Sequence, residues 1–503
     1  MKSFRDANLW LMSAFAVLVI GLGFVVFEQT SFSPQQSVAP VAVAQKDTTY
    51  KLSILFAGDV MQHSPQLDAA YNPIDKQYYY DNCFRFVRPL VSNYDLAIAN
   101  LETTFGDEPY SGYPMFCSPD NLGKSLAGAG FDILATCNNH SADKGAKGIQ
   151  RTIDIVEHFG MEHTGTFKDE TNRLGEYPLI ITRNNIKLAL LNYTYDTNGM
   201  PVPKPYIINL IDTATIAADL KRADFYNPDF KIVYFHWGLE YQAQPSAVQR
   251  MLAKFCFEHG ADLVIGGHPH VVQPIEEISY TYKGEKKKGV VYWSLGNYIS
   301  NQRNVYQNGG TTAHTDGGIM AHLELEKDTK TGITKLVNYG YIPAWVNKNT
   351  RTADKKDYFV LPSSLYEQDT TLFDGIITKA EKYKLKQFTT DTRQHLKKAK
   401  EVKFPTVFRT DTATFNRIKA HYIVQALSTA DDLEVAQIPA KFGMNIDTLK
   451  WLCNCEPAFT KTAQGVKFVY AFTELSTIEN ARKIARKFRE YGADRAMVVV
   501  EYK

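Results

Sequence analysis

Two imidazoles stand one residue apart in Gly266-Gly267-His268-Pro269-His270, directly after the apolar run Ala261-Asp262-Leu263-Val264-Ile265, which reads as a buried strand. Successive strand residues point to opposite faces, but Gly and Pro at a strand end turn both rings toward one point, and imidazole is the commonest metal-binding side chain. A lone His-x-His proves little. Four more segments share its design, an apolar run ending in compact metal-binding or hydrogen-bonding side chains. They are Ile54-Leu55-Phe56-Ala57-Gly58-Asp59, Leu96-Ala97-Ile98-Ala99-Asn100-Leu101-Glu102, Ile133-Leu134-Ala135-Thr136-Cys137-Asn138-Asn139-His140 and Ile232-Val233-Tyr234-Phe235-His236-Trp237-Gly238. Together they predict one polar site at one edge of a sheet.

A hard divalent cation needs carboxylate, amide-oxygen and imidazole ligands from several loops, and Asp59, Glu102, Asn139, His236, His268 and His270 supply all three types. Such a site lowers the pKa of water, and a pair of metals also clamps an oxyanion. His140, beside Asn139, is placed to act as a general acid or to hydrogen-bond substrate. Taken singly, Asp59 after Gly58 reads as a turn or cap and His236 as a satisfied core histidine. Six residues in similar settings favour the site. Asn297, in Ser294-Leu295-Gly296-Asn297-Tyr298, either closes a turn or lines the site.

The elements that must position these groups lie between residues 50 and 345, where short apolar runs alternate with amphipathic stretches such as Ala247 to His259. That alternation predicts an α/β domain. Apolar strands without strict alternation imply a sheet covered on both faces, and ligands in such folds gather beyond strand ends.

At 503 residues the chain exceeds one compact core, which predicts two or three domains. With 56 basic and 54 acidic residues it has no excess charge to hold a phosphate backbone, so nucleic acid is not an expected partner. Residues 1–8 carry Lys2 and Arg5, and Leu9 to Phe27 has no charged residue, long enough to cross a ~30 Å hydrocarbon core as a helix. The flanking charges orient this span with the N-terminus in the cytoplasm and the bulk of the chain outside, as a single-pass membrane protein. A cleaved leader is the other reading, since Ala42-Val43-Ala44 resembles a cleavage site, but its distance from the apolar run favours a retained anchor. Residues 28–49 read as a flexible tether.

Residues 346–410, rich in charge and threonine, read as a connecting segment with a solvated helix. Residues 411–503 read as a small α+β module, with strands at Val466 to Phe472 and Ala496 to Val500 and a helix from Thr477 to Tyr491. Six cysteines do not make a disulfide scaffold; an exported domain offers Cys83 and Cys117 as one conceivable pair, and Cys453-x-Cys455 lacks the partners of a zinc knuckle.

Gly58-Asp59-Val60-Met61, Asn100-Leu101-Glu102, Asn138-Asn139-His140 with Asp143 and Gly145, His236-Trp237-Gly238 with Glu240-Tyr241, Gly267-His268-Pro269-His270 and Ser294-Leu295-Gly296-Asn297 resemble, in order, the CapA-type poly-γ-glutamate capsule-biosynthesis family. The resemblance covers roughly residues 52–345. That family looks like a branch of the calcineurin-like metallophosphoesterases, which implies a metallophosphatase-like β-sandwich flanked by helices around one or two divalent metals (Mn, Fe, Zn or Mg). On this resemblance Asp59, Asn139, His236, His268 and His270 take ligand roles, with Glu102 bridging metals or orienting substrate. His140 takes the catalytic histidine role. Asn100, Glu240 and Asn297, next to these motifs, are the expected substrate contacts. Two departures stand out: Met61 occupies the place of the His in the usual Asp-x-His, and Asn100 and Glu102 replace a bridging aspartate. In the tail, Val466 to Val500 with Ala481, Ala485 and Gly492 looks like half of a SPOR-type peptidoglycan-binding domain, with Tyr422 to Ala426 as its first strand. Ile438 to Gly443 followed by Ile446 to Leu449 is similar to a LysM motif, and an accessory domain without ligand is a third reading.

These features predict a membrane-anchored, extracytoplasmic, metal-dependent hydrolase acting on an anionic envelope or capsule polymer. The alternative is an accessory protein of capsule assembly or export that binds the polymer in the same pocket without turnover.

Overall fold

The apolar runs form strands of two sheets packed face to face in this computed structural model, which describes residues 49–503 except 304, 307–311, 353–354, 404–419, 430–456, 462–467, 476–477, 491–495 and 503. Seven strands carry the polar cluster: β1 (Thr49–Val60), β2 (Leu96–Leu101), β3 (Ile133–Ala135), β4 (Ile186–Thr194), β5 (Phe230–His236), β6 (Leu263–Gly267) and β7 (Asn297–Ile299). In the first sheet the strands run Lys355–Pro362, Thr334–Thr352, Gly317–Asp328, β1, β2, β3, Glu162–Thr164, with β7 paired to the end of β1. In the second they run Ile275–Tyr282, Glu285–Tyr292, β6, β5, β4, Leu179–Arg183 and then four strands of the tail. β1, β2 and β3 are mutually parallel, and so are β4, β5 and β6.

Parallel strands need crossover segments, and helices cover the outer faces. Ile54 and Phe56 of β1 and Ile98 of β2 meet Leu188, Ile232 and Ile265 of the opposite sheet in one core. The alternate residues Leu55, Ala57 and Ala99 face outward onto Leu122 and Leu126 of the helix Asp120–Ala129. Behind the second sheet, Val233, Phe235 and Val264 pack on Ile216, Leu220, Leu252 and Cys256 from the helices Thr213–Phe225 and Ala247–Glu258. Each large apolar side chain so buried contributes roughly 1.5–3 kcal/mol. Burial on both faces is why these strands read as unbroken apolar runs.

The strand Thr334–Thr352 runs through residue 345 and pairs with Lys355–Pro362, so the first sheet draws on the stretch expected to be a connector. The helix Lys379–His395 follows, burying Leu385 and Phe388. Cys83, Cys117, Cys137 and Cys256 are free thiols, so the conceivable Cys83–Cys117 pair does not form. Cys83 packs against the outer core, whereas Cys117 Sγ lies 3.6 Å from the Asp107 carbonyl.

The tail contributes Ala420–Thr429, Pro457–Lys461, Phe468–Leu475, the helix Ile478–Glu490 and Met497–Tyr502. Its last strand lies parallel to Leu179–Arg183 and extends the second sheet to ten strands. Among the described residues no helix is long and apolar enough to cross a membrane. The expected span at 9–27 and the tether up to residue 48 lie outside them, as do Cys453, Cys455, Gly492 and the LysM-like stretch 438–449.

Candidate metal centre

The carboxyl ends of β1, β2, β5 and β6 converge at one edge of the sandwich. β1 shifts register between Ala57 and Asp59, where Gly58 passes so close to Gly296 that a Cβ would lie 1.9 Å from its carbonyl oxygen. Only glycine fits there. Asp59 thereby sits in register with Asn100 of β2 on one side and Asn297 of β7 on the other. β6 ends at Gly267, whose backbone approaches so near that a Cβ would stand 2.8 Å from Asp59 Oδ1. His268 and His270 follow with φ of 96° and 57°. Left-handed backbone at residues with side chains stores strain of the kind that clusters at functional sites.

The six expected ligands meet. Asp59 Oδ1 accepts from Asn100 Nδ2 at 2.8 Å, and Asp59 Oδ2 accepts from the His268 main-chain N–H at 3.3 Å and lies 3.2 Å from His270 Nδ1. His236 Nε2 is 2.8 Å from Asn139 Oδ1 and 3.4 Å from Glu102 Oε1. His270 Nε2 is 3.8 Å from the same Glu102 oxygen. Ligand atoms of Glu102, His236 and His268 lie within 4.8 Å of one another, as do those of Asp59, Glu102 and His270, and of Glu240, His268 and His270. Glu240 is exposed, on the outer side of the group.

Glu102 is fully buried, yet neither carboxylate oxygen has a hydrogen-bond donor, and His268 Nδ1 is also buried without a partner. A buried carboxylate that is neither bonded nor neutralised is costly, so such groups are held by a charge partner or bind metal. The unpartnered oxygens and nitrogen fit a divalent cation, and the donor set of carboxylate, imidazole and amide oxygen suits one. The charges already respond to each other. Burial works against a charged His270, but the nearby Glu102 charge and the Asp59 hydrogen bond prevail and raise its pKa to about 9. Burial, and then the neighbouring histidines, hold His268 well below the ordinary imidazole value.

His140 is buried beside the cluster, with Nδ1 2.8 Å from Asp143 Oδ2 and its ring edge-on to Phe116 at 4.6 Å. Its main-chain N–H donates to Asn138 Oδ1, and Asn138 Nδ2 donates to Asn100 and to the Leu101 carbonyl. Asn100 therefore lies inside the cluster, between Asp59 and Asn138. Asn297 Nδ2 is taken up by Gln302 and the Thr315 carbonyl, and its Oδ1 is 3.1 Å from His270 Nδ1. Met61 is buried two residues after Asp59.

Sequence reasoning gave no role to Tyr195, Tyr241, His63 or Arg303. The Tyr195 ring lies 4.5 Å from His268, and it follows the end of β4, so the strand-end pattern would have found it. Tyr241 flanks His270 at 6.2 Å. Burial raises both phenols to about 12 and keeps them as donors. Asn301 donates its N–H to His63 Nδ1, and the charges of His270, His140 and Arg303 all reach His63.

Residues 53–302 match the family model described as bacterial capsule synthesis protein PGA_cap. The chain is similar to the capsule biosynthesis protein CapA of Bacillus anthracis, 27% identical over 64% of this chain and 74% of that one. It is also similar to the PGA biosynthesis protein CapA of Bacillus subtilis (strain 168), 25% identical over 59% of this chain and 75% of the other. Among solved structures, the calcineurin-like phosphoesterase YfkN from Bacillus subtilis aligns over 69% of this chain and 98% of its own, at 15% identity and a TM-score of 0.33.

Proposed function

Through residues 53–302 the chain belongs to the bacterial capsule synthesis family of the CapA type, and on that premise we propose that it is a metal-dependent hydrolase of capsule or envelope polymer metabolism. The observation that carries this reading is Glu102, a buried carboxylate that accepts no hydrogen bond and stands between the imidazoles of His236 and His270. Asp59, Glu102, Asn139, His236, His268 and His270 would hold one or two divalent cations. A cation bound there supplies Lewis acidity and lowers the pKa of water.

The remaining work falls to the chain's own side chains. Asp143 fixes the His140 ring through Nδ1, leaving Nε2 to hold or deliver a proton at the leaving oxygen. Tyr195, beside His268, and Tyr241, beside His270, are protonated at neutral pH and would donate to substrate oxygens. Glu240, on the exposed side, meets the substrate as it enters. Residues 9–27 would anchor the protein in the membrane with this site outside, and the tail would engage peptidoglycan.

Met61 favours a second reading, since a buried thioether is a poor ligand for a hard cation. In that reading the pocket binds a carboxylate-rich polymer for assembly or export without turnover. Metal content by elemental mass spectrometry, together with hydrolysis of a generic phosphodiester by wild type and His268→Ala, separates the two. Metal with turnover lost in the variant supports the hydrolase; metal without turnover leaves the binding role, and no metal under replete conditions sinks both.

A further inference from the structure

We propose that the seam between the C-terminal module and the main domain is a binding cleft for a multivalent oxyanion, built by Arg222, Arg486 and Arg489. The helix Ile478–Glu490 packs beside the short helix Glu170–Glu176, and between them and Arg222 opens a cleft of about 830 Å3. Arg482 on the same helix is neutralised by Glu157 and Glu176. Its neighbours in the cleft are treated differently. Arg222 donates from Nε to the Tyr177 carbonyl at 3.0 Å and from Nη2 to the Leu174 carbonyl at 2.6 Å. Arg489 donates to the carbonyls of Ala496 at 2.6 Å and Thr171 at 3.3 Å. Main-chain carbonyls orient a guanidinium without cancelling its charge.

Burial chiefly, and after it the charges of Arg222 and Arg486, make Arg489 easier to deprotonate than an ordinary arginine. Asp169, which also caps its helix by accepting the Asn172 N–H at 2.7 Å, and Glu490 line the same cleft, so three guanidinium groups face two carboxylates and positive charge remains in excess. An oxyanion would offset that excess, because the guanidinium fork matches carboxylate or phosphate oxygens two at a time. Arg486 is exposed and the cleft is open, which suits a chain carrying repeated anionic groups better than one enclosed ion. Two of the three arginines come from the tail, so the cleft exists only while the module is docked. This site is separate from the histidine cluster and does not depend on turnover there.

Calorimetric titration of the purified chain with linear polyphosphate, poly-L-glutamate and inorganic phosphate tests it. Arg486→Gln should weaken polymer binding roughly tenfold and Arg222→Gln with Arg486→Gln further, as expected for charge-assisted hydrogen bonds. Lys379→Gln, an exposed cation elsewhere, should leave it unchanged. Binding of polyphosphate alone assigns phosphate as the recognised group, and of poly-L-glutamate alone, carboxylate. The proposal is overturned if none of the three binds, if Arg486→Gln binds as tightly as wild type, or if binding is lost in His268→Ala and kept in Arg486→Gln. Arg222→Lys, which keeps the charge and loses the fork, guards against a folding defect by giving an intermediate affinity.

Discussion

Asp59 Oδ2 and His270 Nδ1 stand 3.2 Å apart although they come from different sheets, Asp59 from the end of β1 and His270 from the loop after β6. A cation on this pair and on Glu102 therefore ties the edges of the sandwich together. Because the ligands are assembled only in the folded chain, metal binding is folding free energy. Chelation should lower the melting temperature, with about 2.7 kcal/mol lost when free metal stood at a hundredfold over its Kd. Calorimetric melting before and after chelation checks this, and identical curves from a protein shown to have carried metal would refute it.

Glu102→Gln should show in both forms. In the metal-free protein it removes the charge that, with Asp59, holds the His270 pKa at about 9, so the His270 pKa should fall and the stability that pair contributes near neutral pH should shrink. In the presence of metal it removes a charged ligand, so stoichiometry should fall. Denaturant unfolding of the metal-free pair and elemental analysis of the replete pair measure both arms. A metal-free variant as stable as wild type at neutral pH would mean that Glu102 does not hold the His270 charge.

His140→Ala should reduce turnover of a phosphodiester at least roughly a hundredfold while metal stays bound, as for loss of a general acid. Asp143 acts by orienting the ring, so Asp143→Asn, which keeps a hydrogen-bonding side chain, should cost less. Asp143 also accepts the Phe116 N–H at 2.6 Å, and thermal melting must therefore accompany the rates. Equal kcat for wild type and His140→Ala would remove His140 from the chemistry.

The parts of the site legible in the sequence were those set by local pattern. Strands buried on both faces leave uninterrupted apolar runs, and the side chains just past them, Asp59, Glu102, Asn139, His236, His268 and His270, fall at one edge because the strands run parallel. What pattern does not encode is pairing at a distance. The docking of Met497–Tyr502 on Leu179–Arg183 joins segments some three hundred residues apart, and either strand alone reads the same with or without its neighbour. His63 was hidden for another reason: it lies past the strand on the N-terminal side of a helix, where a histidine looks like a surface residue. The thiols Cys83 and Cys117 share a plausible separation in sequence but occupy different environments.

His63 should make the protein acid-sensitive. Burial is the main cause of its depressed pKa, about 4 against an ordinary 6.5; Gln66 opposes the shift, and the charges of His270, His140 and Arg303 add to it. The folded state thus binds fewer protons than the unfolded state between these values. Stability contributed by the neutral ring is fully present above about 6.5 and is lost as pH falls toward 4, by about 2–3 kcal/mol for a partly shielded group. Urea unfolding at several pH values across that window should show the decline in wild type and a shallower one in His63→Gln. Parallel profiles for the two proteins would assign the acid sensitivity elsewhere.

Arg482 links the tail to the main domain, donating to Glu157 and to Glu176, with Glu157 in turn 3.2 Å from His163. Burial disfavours the Glu157 charge, but His163 and Arg482 overcome it and hold the carboxyl far below its ordinary range. Removing the cation leaves two carboxylates facing each other in a mostly buried seam, and breaking such a pair costs about 3 kcal/mol. Met497 and Val499 also pack in the core behind the second sheet and Val500 in the core between the sheets, so Arg482→Ala should loosen the tail rather than release it, while the sandwich stays folded. Limited proteolysis reads this directly: cleavage should accelerate in the tail of the variant and not in residues 50–345. Glu176→Gln, which leaves the Arg482–Glu157 contact in place, should give an intermediate rate, and a tail as resistant in Arg482→Ala as in wild type would show that strand pairing and core packing hold the module without the ion pairs.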